Sequence, residues 1–506
     1  MKAYDAIVVG AGIAGLTAAR ILSQHHKKVL LLEKAKVLGG SLARFKLKGI
    51  PFDVGFHFTG GFTDDGTGVL DNMFSVLGVR DRIKPLFYPR DACHHMIFPT
   101  INAAFVVPCG IDKLRANMKA DFPQHRAGID KYFDRLQVVI DGTPTLDMAG
   151  FDDFPPPLEE DHVTLQSVMD DCVTDPLVQT IFGALCMCYG TRPNEVSFAT
   201  HARVCYGLQE SLARVEDGGQ AFVDAFVHVL ERDGVEIQTN VTIAECAEVV
   251  DRKVKRFVLT DGTEVTADSC IFAIDPRSIL EILPKQHLSK AFQSRVTDFE
   301  PTMAFFTLFG TIDRPLESEV VTMTSVLPGM DLNYMLTPHS AEPVDGPLLV
   351  LRNLEHGRAE ALQTVTALEV AFPETTNRWN DTFLRRRPAE YYKYKDDRCQ
   401  SIVNRMDQFM PACKGMKVID TSSSLSYRDY LNSPEGAAYG IKQKMGQFNV
   451  TGRLPLTNLY AAGQCALLPG VIGAMTSAFF TCRSILGREA FKQFLSGDSC
   501  CSTAQS

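Results

Sequence analysis

Tyr4-Asp-Ala-Ile-Val-Val-Gly10-Ala-Gly12-Ile-Ala-Gly15-Leu-Thr-Ala-Ala-Arg20 decides the fold of this chain. Its first part, Tyr4 to Val9, is a short β-rich apolar run. Three glycines follow in the spacing GxGxxG, and the apolar-periodic stretch from Ile13 to Gln24 reads as a helix. Val29 to Leu32 is a second apolar strand with Glu33 at its end. Strand, glycine turn, helix, strand and acid in that order form a Rossmann-type βαβ unit. Gly10 permits the tight turn, Gly12 lets backbone N–H groups approach a pyrophosphate, and Gly15 lets the helix pack close to the strand. Ile13 and Ala14 open the helix, whose positive dipole end faces the phosphates. Glu33 lies 18 residues past Gly15, where a carboxylate accepts hydrogen bonds from a ribose diol. A bare GxGxxG can be a ligand-free turn; the order of all five features argues for a dinucleotide.

Outside that unit, composition narrows the class. A chain of 506 residues is too long for one core and should divide into two or three domains. Apolar residues at 45% and charged residues at 22% give the balance of a soluble globular protein. A net charge of −9 argues against a nucleic-acid partner, which usually needs a basic face. The 14 cysteines form no CxxC pair, so they read as mostly buried thiols in a reducing, cytoplasmic compartment. His94-His95 and the cysteines lack metal-ligand spacing, and no metal is expected. The chain reaches Gly10 without a cationic leader, so no signal peptide is expected. The most apolar long stretch, Ala466 to Leu486, is interrupted by Thr476, Ser477, Thr481, Arg483 and Ser484, which argues against a transmembrane helix. Peripheral contact with a membrane through an exposed apolar patch stays open.

The chain leaves the nucleotide-binding unit and returns to it twice. Residues 1–89 form its first part. Phe45 to Gly55 reads as a hairpin leading into Phe56-His57-Phe58. Residues 90–214 read as a largely helical substrate domain, with helical patterning over Asp112–Phe122 and Thr164–Gly190 and a break at Phe154-Pro-Pro-Pro157. Residues 215–285 return. There Gly218-Gly219-Gln220 opens a helix from Ala221 to Asp233, followed by a strand from Val235 to Val241. A hairpin from Lys255 to Val265 turns on Asp261-Gly262, and Cys270 to Ala273 is a further strand. Residues 286–414 leave again, with a strand over Pro301–Thr311 and a helix over Asp396–Met410. Residues 415–495 make the final return, with strands at Lys417–Ile419 and Asn458–Ala462, and 496–506 read as a disordered tail. The fold class is α/β: a Rossmann-like domain built from discontinuous segments, with an inserted α+β substrate-binding domain.

The details favour FAD over NAD. Glu33-Lys34 is followed by Gly39-Gly40, and backbone groups of Gly40 and Ser41 can reach a pyrophosphate from the other side. There is no second GxGxxG for a nicotinamide domain and no redox CxxxxC. With these residues in view, the chain resembles the phytoene desaturase, carotenoid isomerase and retinol saturase family of FAD-dependent oxidoreductases, within the amine-oxidase-like flavoproteins and nearest the retinol saturase-like branch. The resemblance is carried by Asp5 to Gly40, by Phe52-Asp-Val-Gly-Phe-His-Phe-Thr-Gly60, and by Gly218-Gly-Gln220 with the strand ending at Val241. It continues through Ser433-Pro-Glu-Gly-Ala-Ala-Tyr-Gly440, Asn458-Leu-Tyr-Ala-Ala-Gly-Gln464 and Pro469-Gly-Val-Ile-Gly-Ala474. It implies that His57 and Phe58 run beside the isoalloxazine and that Val241 meets the adenine. It also implies that Gly463 and Gln464 meet the ribitol and pyrophosphate. The helix opened by Gly470, Val471, Ile472 and Gly473 would point its N-terminus at the flavin's pyrimidine end, where N–H groups stabilise negative charge. Two departures, Ser41 for the usual Arg and Gln464 for the usual acid, remove charges and shift pyrophosphate binding onto backbone groups.

The resemblance implies hydride exchange between flavin N5 and carbon–carbon bonds of a hydrophobic polyene or isoprenoid lipid, by saturation, desaturation or cis–trans isomerisation. Such a substrate needs an apolar tunnel. Ile181–Tyr189 and Pro301–Gly310 are candidates to line it, or are ordinary core. His57 is the first candidate to donate a proton or orient substrate, set against a structural histidine bonded to a backbone carbonyl. Tyr439 is the second, set against simple packing. Electrons would come from or go to a partner protein, a quinone, oxygen, a transiently bound nucleotide or free flavin. Two other functions fit the same fold. A flavin amine oxidase would need an aromatic cage, and the only tryptophan is Trp379, in the substrate segments. A non-catalytic flavin- or lipid-binding protein is the other.

Overall fold

A computed structural model of the chain describes residues 1–152, 156–313, 322–338, 344–355 and 362–496. The fingerprint folds as β1 (Lys2–Val9), α1 (Ile13–Gln24) and β2 (Val29–Glu33). β1 lies inside a sheet of eight strands, parallel to β2 on one side and to Glu264–Phe272 on the other. Glu236–Thr239 continues the parallel order beyond β2, and Leu459–Ala461 pairs in parallel with the end of Glu264–Phe272. The central strands are covered on both faces, which is why they read as unbroken apolar runs. Residues 13 to 23 of α1 are all buried, even the polar Thr17, Arg20 and Ser23, because neighbouring helices Gln220–Arg232 and Gly470–Leu486 enclose it. Five parallel strands end at one edge, at Thr239, Glu33, Val9, Phe272 and Ala461. Ligands of open α/β sheets bind outside that carboxyl edge.

A second sheet of seven strands carries the insert. Its order is Lys417–Ser422, Ala304–Ile312, Leu362–Ala371, Leu348–Glu355, Thr322–Val326, His94–Phe98 and Ala103–Val107. Strand Ala304–Ile312 is buried along its whole length. By strand alternation, Phe306 and Leu308 pack toward helix Ala389–Phe409, while Phe305 and Phe309 face the other side. Helices Ile111–Asp121, Arg126–Asp141, Leu165–Cys172, Pro176–Gly183 and Phe198–Glu210 form a lobe over that other side.

Several sequence expectations are corrected here. Lys417–Ser422 does not return to the nucleotide sheet; it pairs with Ala304–Ile312 at the edge of the second sheet. A three-residue apolar signal says strand but does not say which sheet. The single helical stretch read over 164–190 is broken. Asp175 caps a new helix, accepting a hydrogen bond from Leu177 N at 2.8 Å, and Pro176 occupies its first position, where its missing N–H costs nothing. The segment 90–214 also supplies two strands, His94–Phe98 and Ala103–Val107, to the second sheet. The helix expected from Asp396 starts earlier, at Ala389, directly after Pro388. Residues 154–155 of the Pro-rich break and 497–506 of the tail lie outside the described residues.

Hairpin Arg44–Leu47/Ile50–Asp53 ends in a buried charge cluster. Asp53 lies 2.6 Å from Arg214 and 3.1 Å from Arg44, with little of any of the three exposed. Removing one side of a buried ion group leaves uncompensated charge. Asp53→Asn is therefore expected to destabilise the protein by about 3–5 kcal/mol, read as a drop in the urea midpoint. A loss below about 1 kcal/mol would match an exposed pair and show that this cluster does not hold the hairpin.

Candidate active site

A cavity of about 1780 Å³ runs from the carboxyl edge of the nucleotide sheet into the space between the second sheet and the helical lobe. At the sheet edge it is walled by Gly10, Gly12, Ile13 and Ala14, by Glu33 and Lys34, and by Gly40 and Ser41. Gly463, Gln464, Val471 and Ile472 reach it from the C-terminal block. His57, Phe58 and Tyr439 stand where this crevice opens into the deeper chamber. Two of the anticipated binding residues do not line it. Gly15 is buried beneath the turn, where a Cβ would fall inside the Gly10 carbonyl group. Val241 packs into the core beyond the sheet while its neighbours Thr242 and Ile243 face the cavity.

Local bonding fixes each wall. Gly10 N donates to Leu32 O at 2.8 Å and Ala273 N to Val9 O at 2.8 Å, so the glycine turn leaves the sheet edge in one defined direction. The Glu33 carboxylate is held by two backbone donors, Ala11 N and Ala35 N, each at 2.8 Å, which sets its oxygens beside the cavity. Gly463 N donates to Ser477 Oγ at 2.7 Å, tying the late loop to helix Gly470–Leu486. That helix begins with its first-turn N–H groups at the cavity and no acidic residue among them. The aromatic run is pinned from behind: Thr59 and Ala213 exchange two backbone hydrogen bonds, at 2.8 and 2.9 Å, and Gly61 N donates to Ser211 Oγ at 3.2 Å.

Burial sets the protonation of the two candidate acids. His57 is lowered to about 4 by burial; the Asp53 carboxylate opposes that shift and the Arg214 guanidinium adds to it. Its imidazole is neutral at pH 7, and its buried Nδ1 has no hydrogen-bond partner among the described residues. Tyr439 is pushed well above the ordinary phenol range, first by burial and then by nearby Cys188 and Tyr427, so it keeps its proton. Its ring meets Phe305 edge-on at 6.1 Å, and its backbone N–H donates to Thr302 Oγ1 at 3.0 Å.

The deeper chamber is mainly apolar. Phe305, Phe309, Met323, Leu368 and Val370 form its floor on the second sheet. Of the two tunnel candidates, Ile181–Tyr189 contributes Ala184, Leu185, Met187 and Cys188, and Pro301–Gly310 contributes Phe305 and Phe309. The rest of both segments is core or backbone. Sequence reasoning missed Tyr206, Tyr427 and the stripe Thr200, Arg203, Val204 and Gly207 on helix Phe198–Glu210. The three-to-four spacing of that stripe is the signal that one helical face lines a shared space. Tyr427 carries no such signal. Burial pushes it up to about 12, and its hydroxyl lies 3.5 Å from Thr307 Oγ1.

The residues present fit the diphosphate and ribose parts of FAD. The clamped Glu33 carboxylate, the open space in front of Gly12, and the helix start at Gly470 would supply a diol acceptor, a phosphate cradle and a dipole for an anionic ring. Comparison with known proteins places the chain in a class. Residues 13–366 match the model of the flavin containing amine oxidoreductase family, and the chain belongs to that family. It is an FAD-dependent oxidoreductase. Among its relatives, human all-trans-retinol 13,14-reductase is 23% identical, with 98% of this chain and 87% of the relative covered. A chloroplastic prolycopene isomerase from Daucus carota is 28% identical over 30% of this chain and 24% of its own length. Among solved structures, an oxidoreductase from Methanosarcina mazei has a TM-score of 0.63 at 16% identity, covering 94% of this chain and 99% of that one. Putrescine oxidase bound to putrescine has a TM-score of 0.64 at 14% identity, covering 96% and 99%. At such identities the structural likeness speaks to fold alone.

Proposed function

We propose that this enzyme acts on a carbon–carbon double bond of a hydrophobic polyene, on the saturating or isomerising side of its family. The observation that carries the reading is one continuous cavity whose flavin crevice opens, past His57 and Tyr439, into a chamber floored by Phe305, Phe309, Met323, Leu368 and Val370. A long apolar chain gains free energy by leaving water for such a chamber, and a small cationic amine does not. The name of the human relative, a retinol reductase covering almost the whole chain, supports the same substrate class. Trp379, the residue an amine-binding cage would draw on, lies elsewhere. It packs with Tyr391 and Tyr394 against the outer face of the second sheet.

Bound FAD supplies hydride exchange at N5. The chain's own residues orient the substrate and handle the proton. Neutral His57 serves as a hydrogen-bonding group that fixes substrate or flavin, because an imidazole lowered to about 4 is not an imidazolium at neutral pH. Tyr439 Oη, which keeps its proton, is the proton-holding group of the pair. Electrons reach the site from a small carrier or partner protein, since the sequence holds one dinucleotide fingerprint.

The test is anaerobic. Oxidised and pre-reduced holoenzyme are incubated with retinoids, carotenoids, prenyl lipids and amines, and products are read by mass spectrometry. The expected result is a polyene product that gains two hydrogens from reduced enzyme, or an isobaric isomer. Turnover of amines with none of the polyenes would overturn the reading.

A further inference from the structure

One rim of the cavity carries exposed aromatic and cationic side chains together. Leu384, Arg385, Tyr392 and Tyr430 line it. Phe383 is 75% exposed, Tyr430 57%, Tyr392 45% and Leu384 38%. These residues come from two segments held to each other. Arg428, on helix Ser424–Leu431, donates to Asn380 O at 2.6 Å and to Thr382 O at 3.1 Å, and Arg387 pairs with Asp429. Tyr391 Oη shares a hydrogen bond with Ser423 Oγ at 2.9 Å. Between these anchors the chain makes a tight turn, with Arg386 N donating to Phe383 O at 3.0 Å and Arg385 at φ 60°. A residue with a Cβ rarely adopts that conformation, and here it is imposed on the tip of the turn.

Charge on the rim runs against the rest of the molecule. Residues 381–395 contain five Lys or Arg and two acids, in a chain of net charge −9. Arg385 and Arg386 are exposed, and neither side chain makes an ion pair among the described residues. Asp429 is neutralised by Arg387 and Arg428, and Asp420 faces Lys395 at 3.5 Å. Exposed aromatics beside unpaired cations are the chemistry of a membrane interface, where rings sit at headgroup level and guanidiniums meet phosphates. Among the described residues no helix is long and apolar enough to cross a membrane, so such contact would be confined to the surface.

We propose that this rim docks on a bilayer containing anionic lipid, with Phe383, Leu384, Tyr392 and Tyr430 at the headgroup boundary and Arg385 and Arg386 on phosphates. The docked rim would let an apolar substrate pass between lipid and cavity without crossing water. The route rests on the polyene reading; the docking does not.

The test is co-sedimentation of full-length holoprotein with phosphatidylcholine vesicles, with and without phosphatidylserine. Phe383→Asp and Arg386→Glu are compared with the unchanged protein, and flavin content verifies that each is folded. The expected result is binding that needs phosphatidylserine and weakens with salt. Arg386→Glu should cost about fivefold or more, and Phe383→Asp about tenfold or more. Equal binding by all three proteins overturns the proposal, as does absence of binding to phosphatidylserine vesicles. So does a solution dimer that Phe383→Asp splits into monomers, because a second copy would then cover the rim. Vesicle binding is read without turnover, so a failed polyene panel leaves docking standing, and failed docking leaves the polyene reading standing.

Discussion

Gly12→Val is expected to yield a folded protein that purifies without flavin. Gly12 sits at φ −72°, ψ 179°, an extended conformation open to any residue, and a Cβ there would meet no protein atom within 4 Å. The fold therefore has no reason to reject the substitution. The space it fills lies on the cavity at the start of α1, where backbone N–H groups and the helix dipole would favour a phosphate. A branched side chain in that gap overlaps the ligand, and overpacking of about 3 kcal/mol corresponds to a loss of about 100-fold or more in affinity. Gly15→Val is the contrasting case. Its Cβ falls inside the Gly10 carbonyl, so the turn itself must move and the variant should be poorly folded. Absorbance and circular dichroism of the two purified variants separate the cases. Normal flavin content in Gly12→Val would place the pyrophosphate elsewhere.

The nucleotide half of this molecule was legible because local chemistry dictates it. The turn at Gly10 to Gly15 and the acid at Glu33 are defined by spacing along one stretch of chain, and α1 forms over the expected Ile13–Gln24. Gly463, Gln464 and the helix start at Gly470 came only through resemblance, since nothing local says that a late loop returns to an early turn. The structure brings them to the same cavity through parallel pairing of Leu459–Ala461 with the end of Glu264–Phe272. The insert was less legible. Strand Lys417–Ser422 carries no mark of its partner, and the strands His94–Phe98 and Ala103–Val107 are short runs beside long helices. Tyr427 reaches the site because a polar-looking helix, Ser424–Leu431, packs under the second sheet. His57 lines the cavity, but its protonation depends on burial that sequence does not reveal.

Acid should unfold this protein well above the ordinary carboxylate range, driven by histidines. Burial is the first cause lowering all three of His57, His94 and His201, to about 4, about 3 and about 4. His94 is further lowered by His95 and shares a 2.7 Å hydrogen bond with Ser325 Oγ. Each group has a folded pKa below its unfolded value of about 6.5, so the unfolded state binds more protons between those limits. Above about pH 6.5 the three contribute nothing; as pH falls toward 4, stability is lost. At pH 5 each costs about 2 kcal/mol, together about 6 kcal/mol, against a total stability of about 5–15 kcal/mol. Urea midpoints of the holoprotein from pH 7.5 to 4.5 should fall steeply below pH 6.5, with close to three protons taken up on unfolding at pH 5. His94→Gln should flatten that slope by about one proton. A midpoint that stays level between pH 7 and 5 would mean these imidazoles are not buried neutral. The same burial bears on catalysis. A His57 acting as an imidazolium would lose activity on the alkaline side of its pKa, whereas a neutral orienting His57 leaves activity to fall only where acid unfolding begins. Coincidence of the activity loss with the urea-monitored transition is the expected result.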